Sequence, residues 1–278
     1  MTSPAGECGA ASLPPLAVLT RPEDRNDTLA QRLRQAGRDV LVLPALRIEP
    51  LEPERLPHPR DFDLVVLVSG NAVRHYLSQC LVRDTGFKWP RDTAAAVVGP
   101  GSAAALQSAP EWNGAATLLR PAADAPSYDS ESLWTSIQQQ GFAARKVLVV
   151  RGNVGRDWLA DWLAAQGAQV EKLALYRRTP RKWGPDDIEA LRAAARDGRP
   201  VHWLLTSAEG LQAVCDQAAK AGLAQWLVRC AAVATHERIA AMWRQNAADT
   251  IRNDAPCEPM VKISLPEDEA LARCFLAM

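Results

Sequence analysis

The sequence reads nearly the same way twice, and a chain that does so is constrained to fold as two similar halves. Residues 16–50 run LAVLTRPEDRNDTLAQRLRQAGRDVLVLPALRIEP, and residues 146–180 run KVLVVRGNVGRDWLADWLAAQGAQVEKLALYRRTP. One constant offset places Arg21 over Arg151, Leu29 over Leu159, Leu33 over Leu163, Gly37 over Gly167, Val40 over Val170 and Pro50 over Pro180. Two more pairs follow at similar offsets: DLVVLVSGNAV (63–73) against VHWLLTSAEGL (201–211), and AAVVGPGSAAA (95–105) against AAVATHERIAA (231–241). A period this long indicates duplication of a half-molecule rather than a solenoid, whose repeats run to about 20–50 residues. Two similar domains facing one another leave a cleft, and clefts at domain interfaces are favoured ligand sites.

Within each copy, short apolar runs alternate with amphipathic patterns, the grammar of parallel α/β layers. Strands are expected at 16–20, 40–46, 63–69, 94–99, 116–121, 147–150, 170–176, 201–206 and 230–235. Helices are expected at 25–36, 71–83, 101–108, 156–166, 185–197, 208–221 and 236–246, and from 266 onwards. Ser130 and Ser132 offer N-caps for a further helix through Gln140. Gly37 and Gly167 end their helices as left-handed caps. The first strand–helix unit is not followed by its own partners, which come only after the second unit. The expected architecture is therefore discontinuous. It has a disordered leader over 1–15, one α/β domain made of 16–46 plus 180–278, and an inserted α/β domain over 50–174. Hinge strands are expected near 47–50 and 175–180.

Composition narrows the function. The 278 residues suffice for two cores. Lys and Arg (32) balance Asp and Glu (32), so the chain lacks the basic excess of a nonspecific nucleic-acid binder. No apolar run approaches the roughly 20 residues of a membrane span, and MTSPAGECGAASLPP has neither a basic nor an apolar signal region. A cytoplasmic protein with no membrane and no nucleic-acid partner is expected. Cys8, Cys80, Cys215, Cys230, Cys257 and Cys274 show no ligand spacing, and His58, His75, His202 and His236 stand apart from one another. This fits free thiols and no metal. The GPGS stretch at 99–102 lacks GxGxxG, and no GxxxxGK[ST] occurs, so dinucleotide or triphosphate binding is not expected.

In parallel α/β sheets, ligands sit beyond the carboxyl ends of the strands, at helix N-termini. Six such turns are legible: Thr20-Arg21-Pro22, Ser69-Gly70-Asn71, Gly99-Pro100-Gly101-Ser102, Arg151-Gly152-Asn153, Thr206-Ser207 and Thr235-His236. Small, hydroxylic and amide-bearing residues make ordinary turns and caps. Gathered from two domains, they also present main-chain and side-chain donors to an anionic ligand. Arg21, Arg151 and Arg156 are able to pair with ligand carboxylates, or to stand as solvated surface charges. No serine or cysteine nucleophile finds a histidine at readable spacing. Tyr176, one of three tyrosines, falls at a strand end where the chain crosses between domains. A phenol there can give a proton to a leaving hydroxyl, or serve as a plain interface residue. The nine tryptophans are read as core packing.

The opening VLTRP, KWP at 88–90, the AAVVG strand and turn, LVVRGNVGRDWL at 148–159, Tyr176, LLTSAEGL at 204–211 and VATHERIA at 233–240 resemble the uroporphyrinogen-III synthase family. The resemblance covers roughly 16–276. It implies two flavodoxin-like parallel-sheet domains joined by a two-stranded linker, with a cleft between them. It also implies a monomeric, cofactor-free lyase of heme biosynthesis. The implied reaction closes linear hydroxymethylbilane into uroporphyrinogen III: loss of the ring-A hydroxyl gives an azafulvene cation, a spiro intermediate forms, and ring D is inverted. The substrate carries eight carboxylates, and holding it in one conformation is the main implied contribution. Tyr176 matches the family tyrosine that assists departure of the hydroxyl, and Thr206 and Ser207 match its substrate-binding hydroxylic turn. Where many relatives have a Gly-Pro-Thr type turn, this chain has Ala234-Thr235-His236. A transient hand-over of substrate from the preceding pathway enzyme also fits.

Thr20, Arg21, Pro22, Ser69, Asn71, Gly99, Arg151, Gly152, Asn153, Arg156, Thr206, Ser207 and Thr235 are thus the expected substrate contacts, around Tyr176 as the catalytic group. The rival reading is a non-catalytic two-domain binder or sensor of an acidic metabolite.

Overall fold

The computed structural model describes residues 13–22, 25–122, 125, 127–251 and 259–278. Most of the expected leader, together with Cys8 and Cys257, lies outside the described residues. In chain order the elements are β1 (Leu16–Leu19), α1 (Asp27–Gln35), β2 (Asp39–Val42), β3 (Leu46–Pro50), β4 (Leu64–Leu67), α2 (Gly70–Arg83), β5 (Ala94–Val97), α3 (Pro100–Gln107), β6 (Leu118–Leu119), α4 (Ser130–Gln139) and β7 (Lys146–Gly152). They continue with α5 (Trp158–Ala165), β8 (Gln169–Pro180), α6 (Pro185–Arg196), β9 (Val201–Leu205), α7 (Ala208–Lys220), α8 (Ala224–Leu227), β10 (Ala231–Ala234), α9 (Glu237–Thr250), β11 (Val261–Ile263) and α10 (Asp268–Leu276).

Two compact units divide the chain at 47/48 and 178/179, inside β3 and β8. The first unit holds a parallel sheet in the order β11-β10-β9-β1-β2. The second holds β3-β8-β7-β4-β5-β6, parallel from β8 to β6. The sequence repeat maps β7 and β8 onto β1 and β2, β4 onto β9, and β5 onto β10. Both sheets then follow the flavodoxin-type order 2-1-3-4-5, the second from a permuted start.

The duplicated helix ends are built alike. At the end of α1, Gly37 (φ 79°) donates its N–H to Arg34 O and Arg38 donates to Leu33 O. At the end of α5, Gly167 (φ 90°) donates to Ala164 O and Ala168 donates to Leu163 O. This paired closure requires a left-handed residue after the last turn, which glycine adopts without a Cβ clash. The inner strands bury both faces, as parallel strands covered on two sides do. In β1, Leu16 and Val18 enter one core while Ala17 and Leu19 enter the other. In β4, Val65 and Leu67 face one layer while Leu64 and Val66 face the opposite one.

Three local expectations are corrected, and one strand was not expected. The run 40–46 is two strands, because Pro44 lacks an N–H and the chain leaves the first sheet there to enter the second as β3. The helix through Gln139 is capped by Asp129, whose carboxylate accepts from Ser132 N at 2.8 Å; neither Ser130 nor Ser132 is the cap. Strand β8 runs on to Pro180 rather than stopping at Tyr176. The short edge strand β11 had no alternating pattern to announce it.

Candidate active site

In the second unit the site is built where β4 and β7 end, the point at which strand order reverses. Ser69 caps α2, its Oγ accepting Ala72 N–H at 3.1 Å, and the same oxygen lies 2.8 Å from Tyr176 Oη. Tyr176 reaches that position through a slip in register. Arg151 faces Ala174, but the next residue, Gly152, faces Tyr176, so Leu175 is one residue too many on β8. Such an insertion re-aims the side chain beside it, and Leu175 and Tyr176 consequently enter the same core.

Tyr176 is 4% exposed. The His75 ring stacks on it at 5.7 Å and 22°, and a Cβ on Gly152 would lie 2.9 Å from its Cε2. Asn153 N–H donates to Tyr176 O at 2.9 Å, which fixes the turn that follows β7. Gly99 caps α3 with its carbonyl, accepting from Ser102 N–H at 3.0 Å. Asn71 sits half-buried in the first turn of α2, its Oδ1 accepting from Arg74.

Both arginines expected in this unit already face carboxylates. Arg151 pairs with Asp157 and also donates Nε–H to Gly152 O at 3.1 Å. Arg156 pairs with Glu131. A hydrogen bond from Lys172, with the charge of Arg151 beside it, holds the Asp157 carboxyl below its usual range.

In the first unit, the carboxyl ends of β9 and β10 bring Thr206 and Thr235 side by side, while Thr20, just past β1, is one register step behind them, level with Leu205. Ser207 caps α7, accepting from Gly210 N–H at 3.0 Å, and His236 caps α9, its Nδ1 accepting from Arg238 N–H at 3.0 Å. Thr20, Arg21 and Pro22, expected as substrate contacts, each have partners within the unit. The Thr20 hydroxyl donates to Leu204 O and ties β1 to β9. Arg21 is 7% exposed, with Nη2 2.8 Å from Asp268 in the first turn of α10. Neither its Nε–H nor its Nη2 hydrogens meet an acceptor in line, so this is a charge pair rather than a directed hydrogen bond. Pro22 O accepts from Arg25 N–H and Asn26 Nδ2, each at 3.0 Å.

Sequence reasoning missed His75 and the carboxylates Glu131, Asp157 and Asp268. Asp157 follows Arg156 directly and was within reach; Asp268 lies far along the chain from Arg21 and carries no local signal. Burial pushes the thiols of Cys80 and Cys230 up to about 12 and that of Cys215 to about 11, so they stay protonated and are poor nucleophiles. Among the described residues, no three His, Cys, Asp or Glu side chains gather as a metal site, and no helix is long and apolar enough to cross a membrane. An open basin of about 890 Å³ around Asp63 and Arg145 lies at the amino ends of the strands, away from Tyr176.

A family model described as uroporphyrinogen-III synthase HemD matches residues 27–252. The uroporphyrinogen-III synthase of Salmonella typhimurium is 29% identical over 249 residues, spanning 86% of this chain and 96% of the relative. That of Escherichia coli is 29% identical over 251 residues, with the same coverage. Among solved structures, a mutant uroporphyrinogen III synthase from Thermus thermophilus matches with a TM-score of 0.55 at 16% identity, over 95% of this chain and 98% of that one. The Helicobacter pylori uroporphyrinogen-III synthetase gives 0.55 at 14%, over 95% and 99%. At these identities the structural likeness is one of fold.

Proposed function

The chain belongs to the uroporphyrinogen-III synthase family, its reaction being that family's closure of hydroxymethylbilane to uroporphyrinogen III in heme biosynthesis, and we propose that Tyr176 is the acid that releases the substrate's hydroxyl as water. The observation that carries the reading is the placing of Tyr176. Its ring is buried and immobilised at the carboxyl ends of parallel strands, and its oxygen is hydrogen-bonded at the opening of α2. A phenol held among helix N-termini can protonate a departing hydroxyl, and the positive helix ends stabilise the phenolate left behind.

The polycarboxylate substrate suits the donors of these turns. Asn71, Gly99, Gly152, Asn153, Thr206, Ser207 and Thr235 are the contacts proposed, through main-chain and amide or hydroxyl groups. Arg151 and Arg156 join them by exchanging Asp157 and Glu131 for carboxylates of the substrate. Exchange of one carboxylate for another keeps each guanidinium paired throughout, so the nearly buried Arg151 is never left without a counter-charge. The azafulvene cation then closes through a spiro intermediate with inversion of ring D. Spontaneous closure gives the type I isomer, so control of geometry is the main contribution. That competing reaction also favours transient hand-over from the preceding enzyme, in the cytoplasm.

The test supplies hydroxymethylbilane generated in situ and resolves the oxidised uroporphyrin isomers by chromatography. Predominantly type III product is expected, with Tyr176→Phe lowering kcat on the order of 10²-fold while KM holds, as for loss of a general acid. Type I product alone, at the spontaneous rate, would leave only a binder of acidic metabolites.

A further inference from the structure

Ser69 stands among the expected substrate contacts, yet its hydroxyl is already committed. A serine hydroxyl has one proton to donate and two lone pairs to accept with. One lone pair takes the Ala72 amide at 3.1 Å, and Tyr176 Oη lies 2.8 Å away. The geometry points to Ser69 as a positioning residue for Tyr176: it donates its single proton to the phenol oxygen and so turns the phenol's own proton toward the leaving group. The inference rests on Tyr176 being the acid.

Three features leave Ser69 to decide where that proton goes. The Tyr176 ring lies between His75, stacked at 5.7 Å, and the bare backbone of Gly152, so it cannot swing. The residue as a whole is 4% exposed, so the ring is packed and its orientation is set by its neighbours. The remaining freedom is rotation about the C–O bond. A phenol that donated to Ser69 would have its proton aimed into the protein and withheld from substrate.

The step balances without any further reactant. The substrate's C–O bond breaks with its electron pair passing to oxygen, which takes the Tyr176 proton and leaves as water. The phenolate keeps the Ser69 hydrogen bond, now charge-assisted and therefore stronger. The substituted carbon of ring D attacks the cation to form the spiro C–C bond, and its older bond to the neighbouring methylene bridge then breaks to give a second azafulvene cation. Reclosure at the unsubstituted ring-D carbon forms a further C–C bond and expels that carbon's proton, which restores the phenol.

Ser69 also caps α2, so loss of activity in one variant could reflect the cap alone. A double-mutant cycle with Tyr176→Phe separates the two roles. Ser69→Ala is expected to lower kcat roughly 10- to 100-fold in the parent, as loss of a hydrogen bond to a developing charge does. It should have little further effect on kcat in the Tyr176→Phe background, and Ser69→Thr, which keeps the hydroxyl, should restore most of the rate. An equal loss in both backgrounds would overturn the positioning role and leave the Tyr176 reading standing. A Tyr176→Phe enzyme with parental kcat would remove the acid itself, and this inference with it.

Discussion

Gly152 and Tyr176 are register partners across β7 and β8, and the space a Cβ would need on Gly152 is filled by the Tyr176 ring, 2.9 Å away at Cε2 and 3.1 Å at Cζ. The glycine is required for room: unlike Gly37 and Gly167, it does not adopt a positive φ. The neighbouring Leu175, the extra residue on β8, turns the ring toward that space.

Replacing Gly152 with alanine therefore forces the ring to move and breaks its 2.8 Å contact with Ser69. Overpacking of a tight site costs about 1–3 kcal/mol. The expected outcome is a lower unfolding midpoint together with a fall in kcat at least as large as that of Tyr176→Phe. Parental kcat in a folded Gly152→Ala protein would show that the ring's position does not matter.

Arg21 and Asp268 give a prediction about stability. The arginine side chain is 8% exposed and Asp268 29% exposed, so removing the carboxylate strands a buried cation. Breaking such a pair from one side costs about 3–5 kcal/mol, and the partial exposure of Asp268 places Asp268→Asn at the lower end of that range. Arg21→Met retains the bulk, removes the charge and leaves Asp268 to water, so it is expected within about 1 kcal/mol of the parent. Urea midpoints of the two variants check the order. Equal midpoints for Asp268→Asn and the parent would mean that water, not Asp268, compensates Arg21.

What was legible in the sequence follows from how local each determinant is. The alternation of parallel strands with helices was legible because the repeats carry the same apolar runs and the same glycine-closed helices at Gly37 and Gly167. The turns holding Ser69, Gly99, Ser207 and His236 were readable for the same reason: capping chemistry lies within three residues of the cap. Three features were not readable. The slip at Leu175 depends on how β8 meets β7, which an apolar run with either register satisfies equally. Arg21 finds Asp268 only after α10 has packed, and Thr20 finds Leu204 only once β9 lies beside β1. A polar residue at a strand end looks the same in sequence whether it waits for a ligand or holds a neighbouring strand.

His202 makes stability depend on pH in a definite direction. It is the second residue of β9, 5% exposed, on the same strand face as Leu204, which packs with residues of α1 and α10, and its Nδ1 has no hydrogen-bond partner. Burial first, and then the charges of Arg38 and Lys262, lower its pKa from the ordinary 6.5. The folded protein thus keeps the imidazole neutral where the unfolded chain would take up a proton. Below about pH 6.5 the unfolded state binds more protons, so stability falls as pH drops through that value and levels off once the folded imidazole also charges. Above it the contribution is fully present. Carboxylates act in a separate, lower window. Asp63, whose carboxyl accepts from the Lys146 and Arg145 amides and so sits below 3.8, contributes stability that is lost only as pH falls through and below that value. Urea midpoints should be level between about pH 8 and 7 and decline between about pH 6.5 and 5. His202→Leu, similar in bulk and with nothing to protonate, should flatten that decline and leave the acid limb near pH 4 in place. An undiminished slope in His202→Leu would assign the effect to another histidine.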